Sequence, residues 1–156
     1  MKELLIQQYA LITGSRAVVL DFLEQQLPNE AFQVVNQFSD NSPGKMMLHI
    51  ANVYFHWIGN FSLGLNIDIY PDQYVSSIGL LRSIFEEVDQ LMEIYLNQFG
   101  DTPNEKISGT ISNRSLKFDV LKLFTHVITH EFHHKGQVMS MCRLLGHTPV
   151  DADVIH

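Results

Sequence analysis

The chain has 156 residues, 46% hydrophobic and 17% charged, which suits a single domain over residues 1–156 with a real core. Its formal net charge is −7, and its ten Lys and Arg residues are scattered rather than gathered in a stripe, which argues against nucleic-acid binding. There is no secretory-leader pattern and no apolar run of membrane-spanning length, and the lone Cys142 excludes an internal disulfide, so a cytoplasmic setting is expected.

The first helical periodicity covers residues 2–26, with Leu4, Leu11, Ile12, Val18, Val19 and Phe22 near helical spacing, and Leu27-Pro28-Asn29 ends it. Ser42-Pro43 opens the second helix. Ser supplies the N-cap oxygen, and Pro suits the first helical position because its missing N–H has no partner there. This helix carries Met46, His49, Ile50, Val53 and Trp57 inward and fades near Gly64. Residues 66–71 form a connection. The third helix covers about 72–97, with Ile84, Val88, Leu91 and Tyr95 on one side and Gly100 after it. Residues 101–117 read as irregular, and 106–111 suggest a turn or short hairpin. The fourth helix covers about 118–145 and stops at Gly146. Four helices with almost no strand signal predict an all-α fold, a four-helix bundle with long connections.

The fourth helix is apolar on two sides. Leu121, Ile128, Phe132 and Met139 lie near 180° from His130, and a helix apolar on both faces must be covered on both. A partner subunit is the simplest cover, which predicts a homodimer through this stripe; the segment 101–117 folding over it is the alternative.

The richest stretch is Thr129-His130-Glu131-Phe132-His133-His134-Lys135-Gly136-Gln137. On a helix His130 and His134 stack one turn apart. Leu123, Val127, Met141 and Leu145 fall within about 60° of His130, so the pair lies in the core-facing stripe. Two buried imidazoles without partners would each cost ~1–3 kcal/mol, which a shared metal removes. Neutral imidazole binds zinc, nickel, copper and iron. A third His would complete a site of three protein ligands with an open position. His49 is the best candidate, with His56, His126 and His133 as competitors more suited to hydrogen bonding. Gln137 lies on the same helix face and is a candidate to orient a substrate or water, with Asn52 and Tyr54 as weaker ones. Cys142 sits about 120° from His130 and reads as a small buried residue, not a nucleophile.

Residues 130–134 also match H-E-x-x-H, the zinc-protease signature with Glu131 as general base. The extended form wants Gly and His where this chain has Gln137 and Ser140. After His134 come His147, Asp151, Asp153 and His156 without a further helix pattern. A di-iron bundle would need a second Glu-x-x-His, and the chain has none.

Leu48-His49-Ile50 with Trp57, His126-Val127-Ile128-Thr129-His130 with His133-His134-Lys135-Gly136-Gln137, and Leu145-Gly146-His147-Thr148-Pro149 with Asp153 resemble the DinB/YfiT-like metal-binding four-helix bundles. The resemblance covers nearly the whole chain. It implies His49, His130 and His134 as ligands of a divalent metal, zinc or nickel. It also implies a metal-dependent enzyme acting on a small molecule, a transferase or isomerase using a low-molecular-weight thiol such as bacillithiol, mycothiol or glutathione. Water activated at such a site would give hydrolysis instead, and a non-catalytic metal or small-ligand binder is the other alternative. Lys135 stands where the family's run has Arg, and the two are not interchangeable at a bidentate contact.

Overall fold

The computed structural model describes residues 1–111 and 114–155. Four helices carry the fold: α1 (Lys2–Gln26), α2 (Pro43–Tyr54), α3 (Ile78–Phe99) and α4 (Val120–Leu144). Between α3 and α4 the chain forms an antiparallel pair, β1 (Lys106–Ile111) and β2 (Arg114–Asp119). This two-stranded sheet corrects the all-α expectation. Ser112 and Asn113, within the stretch read as irregular, lie outside the described residues, as does His156.

The helix starts follow local chemistry. Ser42 caps α2 by accepting from the Lys45 N–H at 3.3 Å, with Pro43 in the first turn. Ser77 caps α3 by accepting from the Leu80 N–H at 3.2 Å. That cap places the start of α3 at Ile78 rather than near Asp72, and residues 72–74 form only a short 3-10 turn. Beyond Tyr54 the second helix widens into a π-helix over Phe55–Ser62 before Gly64, at φ +67°, breaks it. Gly146 ends α4 at φ +92°, the left-handed geometry that suits glycine.

The core lies between the helices, with α2 packed along α4 and α1 along α3. In α3, Ile84, Val88, Leu91 and Tyr95 are all buried, as their spacing predicts. In α1 the buried face differs from the predicted one. Leu4 and Leu11 are 61% and 54% exposed, while Leu5, Tyr9, Ile12, Arg16, Val19 and Leu23 are buried. The 3–4 spacing is intact, but it runs through an arginine and a tyrosine.

The hairpin packs on the π-helical segment. Gly109 faces Phe61 so closely that an added Cβ would stand 2.7 Å from the ring. Phe118, opposite Ile107 in the ladder, meets Trp57 and Phe61 at ring separations of 5.8 and 5.6 Å. Lys106 pairs with Asp119 at 2.6 Å across the open end, so the strand claims residues 118 and 119 and α4 begins at Val120.

The second stripe of α4 is partly covered by its own chain. Ile128 and Met139 are buried, Phe132 is partly buried and Leu121 is 42% exposed. A recess on this side is lined by Phe132 and Met139 together with Pro149–Asp153, so the C-terminal segment lies beside part of the stripe. No helix among the described residues is long and apolar enough to cross a membrane.

Candidate metal centre

His49 on α2 and His130 and His134 on α4 converge. One ring nitrogen from each lies within 4.8 Å of the other two. The His49 and His130 Nε2 atoms are 3.2 Å apart. Ring separations are 4.8 Å for His49–His134 and 4.3 Å for His130–His134. A metal held at 2.0–2.1 Å in a tetrahedron separates its nitrogen ligands by about 3.3 Å, so this donor set fits such an ion. It is the one cluster of His, Cys, Asp or Glu donors with this convergence among the described residues.

The position is a rim rather than a deep core. His130 and His134 are partly buried and His49 is exposed on one side. Desolvation, followed by the neighbouring imidazoles His134 and His49, pushes the His130 pKa down to about 4. Loss of water also lowers the pKa of His49, against the pull of the nearby Asp72 carboxylate. It does the same for His134, against its bond to Gln137. All three are therefore biased toward the neutral, lone-pair form that ligates metal.

Gln137 Oε1 lies 2.6 Å from His134 Nδ1. A proton on Nδ1 donated to that oxygen leaves Nε2 with the lone pair, the usual way a ligand imidazole is oriented. Gln137 Nε2 is 3.5 Å from His133 Nε2. Among the competitors, His133 stacks beside His134 at 4.9 Å, His126 lies between His130 and Trp57, and His56 stands against Trp57. None joins the three-donor cluster. His147 is elsewhere, paired with Glu30 at 2.7 Å. Asn52 is occupied by both backbone groups of Tyr70, at 2.8 and 3.1 Å. Cys142 is fully buried, and burial raises its thiol pKa to about 11.

Glu131 disposes of the protease geometry. Its side chain is fully buried and points away from the histidines. Arg16 grips it with two bonds of 3.0 Å, and the Tyr54 hydroxyl donates to it at 2.7 Å. Arg16 reaches on to Asp89 at 2.6 Å, and Tyr9 joins both. Burial is the largest influence and opposes the Arg16 charge, but Glu131, Tyr9 and Tyr54 together outweigh it, and the guanidinium pKa ends above its ordinary value. Lys135 also turns inward. Its ammonium donates to Ser15 Oγ at 2.5 Å and lies 3.7 Å from the Phe132 ring centre. Desolvation lowers its pKa to about 8, partly offset by Glu131. Ser15 in turn donates to the Ala152 carbonyl, tying down the C-terminal segment. The Lys-for-Arg departure thus falls on the interior side of α4, away from the donor face.

The sequence reading missed this ionic clasp and the approach of Asp72 to His49. The only hint was Arg16 itself, lying at core spacing with Leu5, Tyr9, Ile12 and Val19.

The profile of the DinB family matches residues 1–156. The chain is similar to a DinB-like protein from Bacillus cereus ATCC 10987 of known crystal structure. Identity is 16%, 94% of this chain and 95% of that one are covered, and the TM-score is 0.65. No curated protein matches.

Proposed function

The chain belongs to the DinB family, and on that premise we propose that His49, His130 and His134 hold one divalent metal ion, zinc or nickel, in a small-molecule enzyme that uses a low-molecular-weight thiol. The observation that carries this reading is the convergence of three proton-poor imidazoles within 4.8 Å on a solvent-facing rim. Three protein donors leave open positions for exchangeable ligands. When bound there, the metal would supply Lewis acidity and keep a thiol in its nucleophilic thiolate form.

The protein's own residues do the rest. Gln137 fixes the His134 ring through Nδ1 and so acts as a positioning residue for a ligand. The exposed edge of His49 leaves the site open to a small molecule from solvent. The clasp between Arg16 and Glu131 sets the depth and rotation of α4, on which two of the three donors ride.

Metal analysis tests the reading. Purified protein should contain about one divalent ion per chain, as a three-His site implies. His49→Ala, His130→Ala and His134→Ala should each lose most of it, and His147→Ala should retain it. Cobalt-substituted protein should change its visible spectrum on adding millimolar thiol. Full metal retention by His49→Ala overturns the ligand set, and a cobalt spectrum indifferent to thiol overturns the thiol chemistry.

A further inference from the structure

Beside the three histidines lies a recess of about 210 Å³ lined by Trp57, Phe118, Lys122, Leu123 and His126. It is built at the junction of the π-helical segment, β2 and α4. Leu123 is its buried floor. The Trp57 ring stands edge-on to Phe118 at 5.8 Å and to His126 at 5.2 Å, so the walls are aromatic. The His126 ring is 5.7 Å from that of His130. The recess therefore opens about one helical turn, ~5.4 Å, from the donor cluster. Its rim carries one cation, Lys122, whose ammonium lies 5.4 Å from the Phe118 ring centre. The larger recess of about 430 Å³ beside Phe132 and Met139 lies on the opposite side of α4 and cannot share a ligand with the histidines.

We propose that the Trp57–Phe118–Leu123–His126 recess is a subsite for a single aromatic ring, carried by the small molecule whose polar end reaches the three histidines. The polar half of this assignment rests on the metal reading above; the ring half rests on the recess. A dry cavity of ~150 Å³ lined by apolar side chains accepts benzene, so about 210 Å³ suits one ring with a short linker and excludes a fused polycycle. Edge-on aromatic walls favour a ring over an alkyl chain of equal volume, because ring edges and faces attract one another. Beyond Lys122 and His126 at its edge, the apolar lining offers nothing to the several hydroxyls of a sugar.

Trp57 is the sole tryptophan, so its emission reports on this recess independently of activity. Titration with benzyl alcohol should give a saturable change in that emission, with or without metal, whereas ethanol should give none. Phe118→Ala should weaken the response about tenfold, the scale of one lost ring contact surface. Phe118→Leu, which keeps the wall apolar, should weaken it less. In cobalt-loaded protein, benzyl mercaptan should bind about tenfold more tightly than ethanethiol, and that preference should vanish in Phe118→Ala. A non-saturating response of the wild type to benzyl alcohol overturns the subsite, and this comparison needs no variant to fold. Equal affinity of the cobalt protein for the two thiols also overturns it while leaving the metal reading intact. A cobalt spectrum blind to both thiols, with benzyl alcohol still saturating, overturns the thiol chemistry and leaves the ring subsite standing.

Discussion

Arg16 and Glu131 can be removed together but not singly. Each is almost wholly buried, and each satisfies the other through paired 3.0 Å bonds. Arg16→Met should cost about 3–5 kcal/mol in denaturant unfolding, because it leaves a buried carboxylate without its counter-charge. Arg16→Met with Glu131→Gln should recover a large part of that loss; a double variant as unstable as the single would refute the pairing argument. The histidines make a separate prediction. Their folded pKa values are lowered, that of His130 to about 4, while the unfolded chain titrates near ~6.5. Between those values the unfolded state binds more protons, so metal-free protein should lose stability as pH falls from ~6.5 towards about 4. Melting of the metal-free protein at pH 7 and pH 5 checks this, and equal midpoints would contradict it. The His pair was legible in the sequence because an i, i+4 spacing is local. Arg16 was not, because its partner lies 115 residues away and no apolar periodicity admits a guanidinium.

Among the elements, the four helices follow the sequence closely, and their caps and breakers explain it: Ser42 with Pro43, Gly64, Gly146. Apart from the later start of α3 behind Ser77 and the shifted buried face of α1, the discrepancies are where one element borrows residues from another. Phe118 and Asp119 look like the first turn of α4 by composition, yet Asp119 is committed to Lys106 and Phe118 to the aromatic group around Trp57. β2 offers only Leu116 and Phe118 as an alternation, too short a pattern to stand out from a loop. Gly109 holds the hairpin against Phe61, and Gly109→Val should cost about 1–3 kcal/mol by overpacking. It should also shift Trp57 emission, since Phe61 and Phe118 both touch that ring. An unchanged spectrum with wild-type stability would mean the strand can back away freely.

At the level of the whole molecule, the three histidines come from two helices that are otherwise joined by packing and by the buried Tyr54–Glu131 hydrogen bond. A metal binding the folded state alone should therefore act as a cross-link. At a free concentration ~100 times its dissociation constant it adds about 2.7 kcal/mol, or roughly 5–10 °C in midpoint for a chain of this size. A chelator should reverse that shift in the wild type and leave His49→Ala unmoved; a variant that still responds would place the ion elsewhere. The four helices and the i, i+4 pair His130–His134 were readable from spacing, whereas the segment lying beside the far side of α4 was not. Residues 149–153 have no periodicity, and their docking depends on Ser15 reaching the Ala152 carbonyl.

The rim has a practical corollary for anyone handling the protein. His126 and His133 are exposed on the same stretch of α4 as His130 and His134, with His49 opposite. Such a cluster is a ready-made affinity handle, because exposed imidazoles bind immobilised nickel. The untagged chain should be retained on nickel resin and released by imidazole. Any nickel found after such a column is then as easily the resin's as the cell's, so the metal analysis proposed above belongs on protein that never met a metal-charged support.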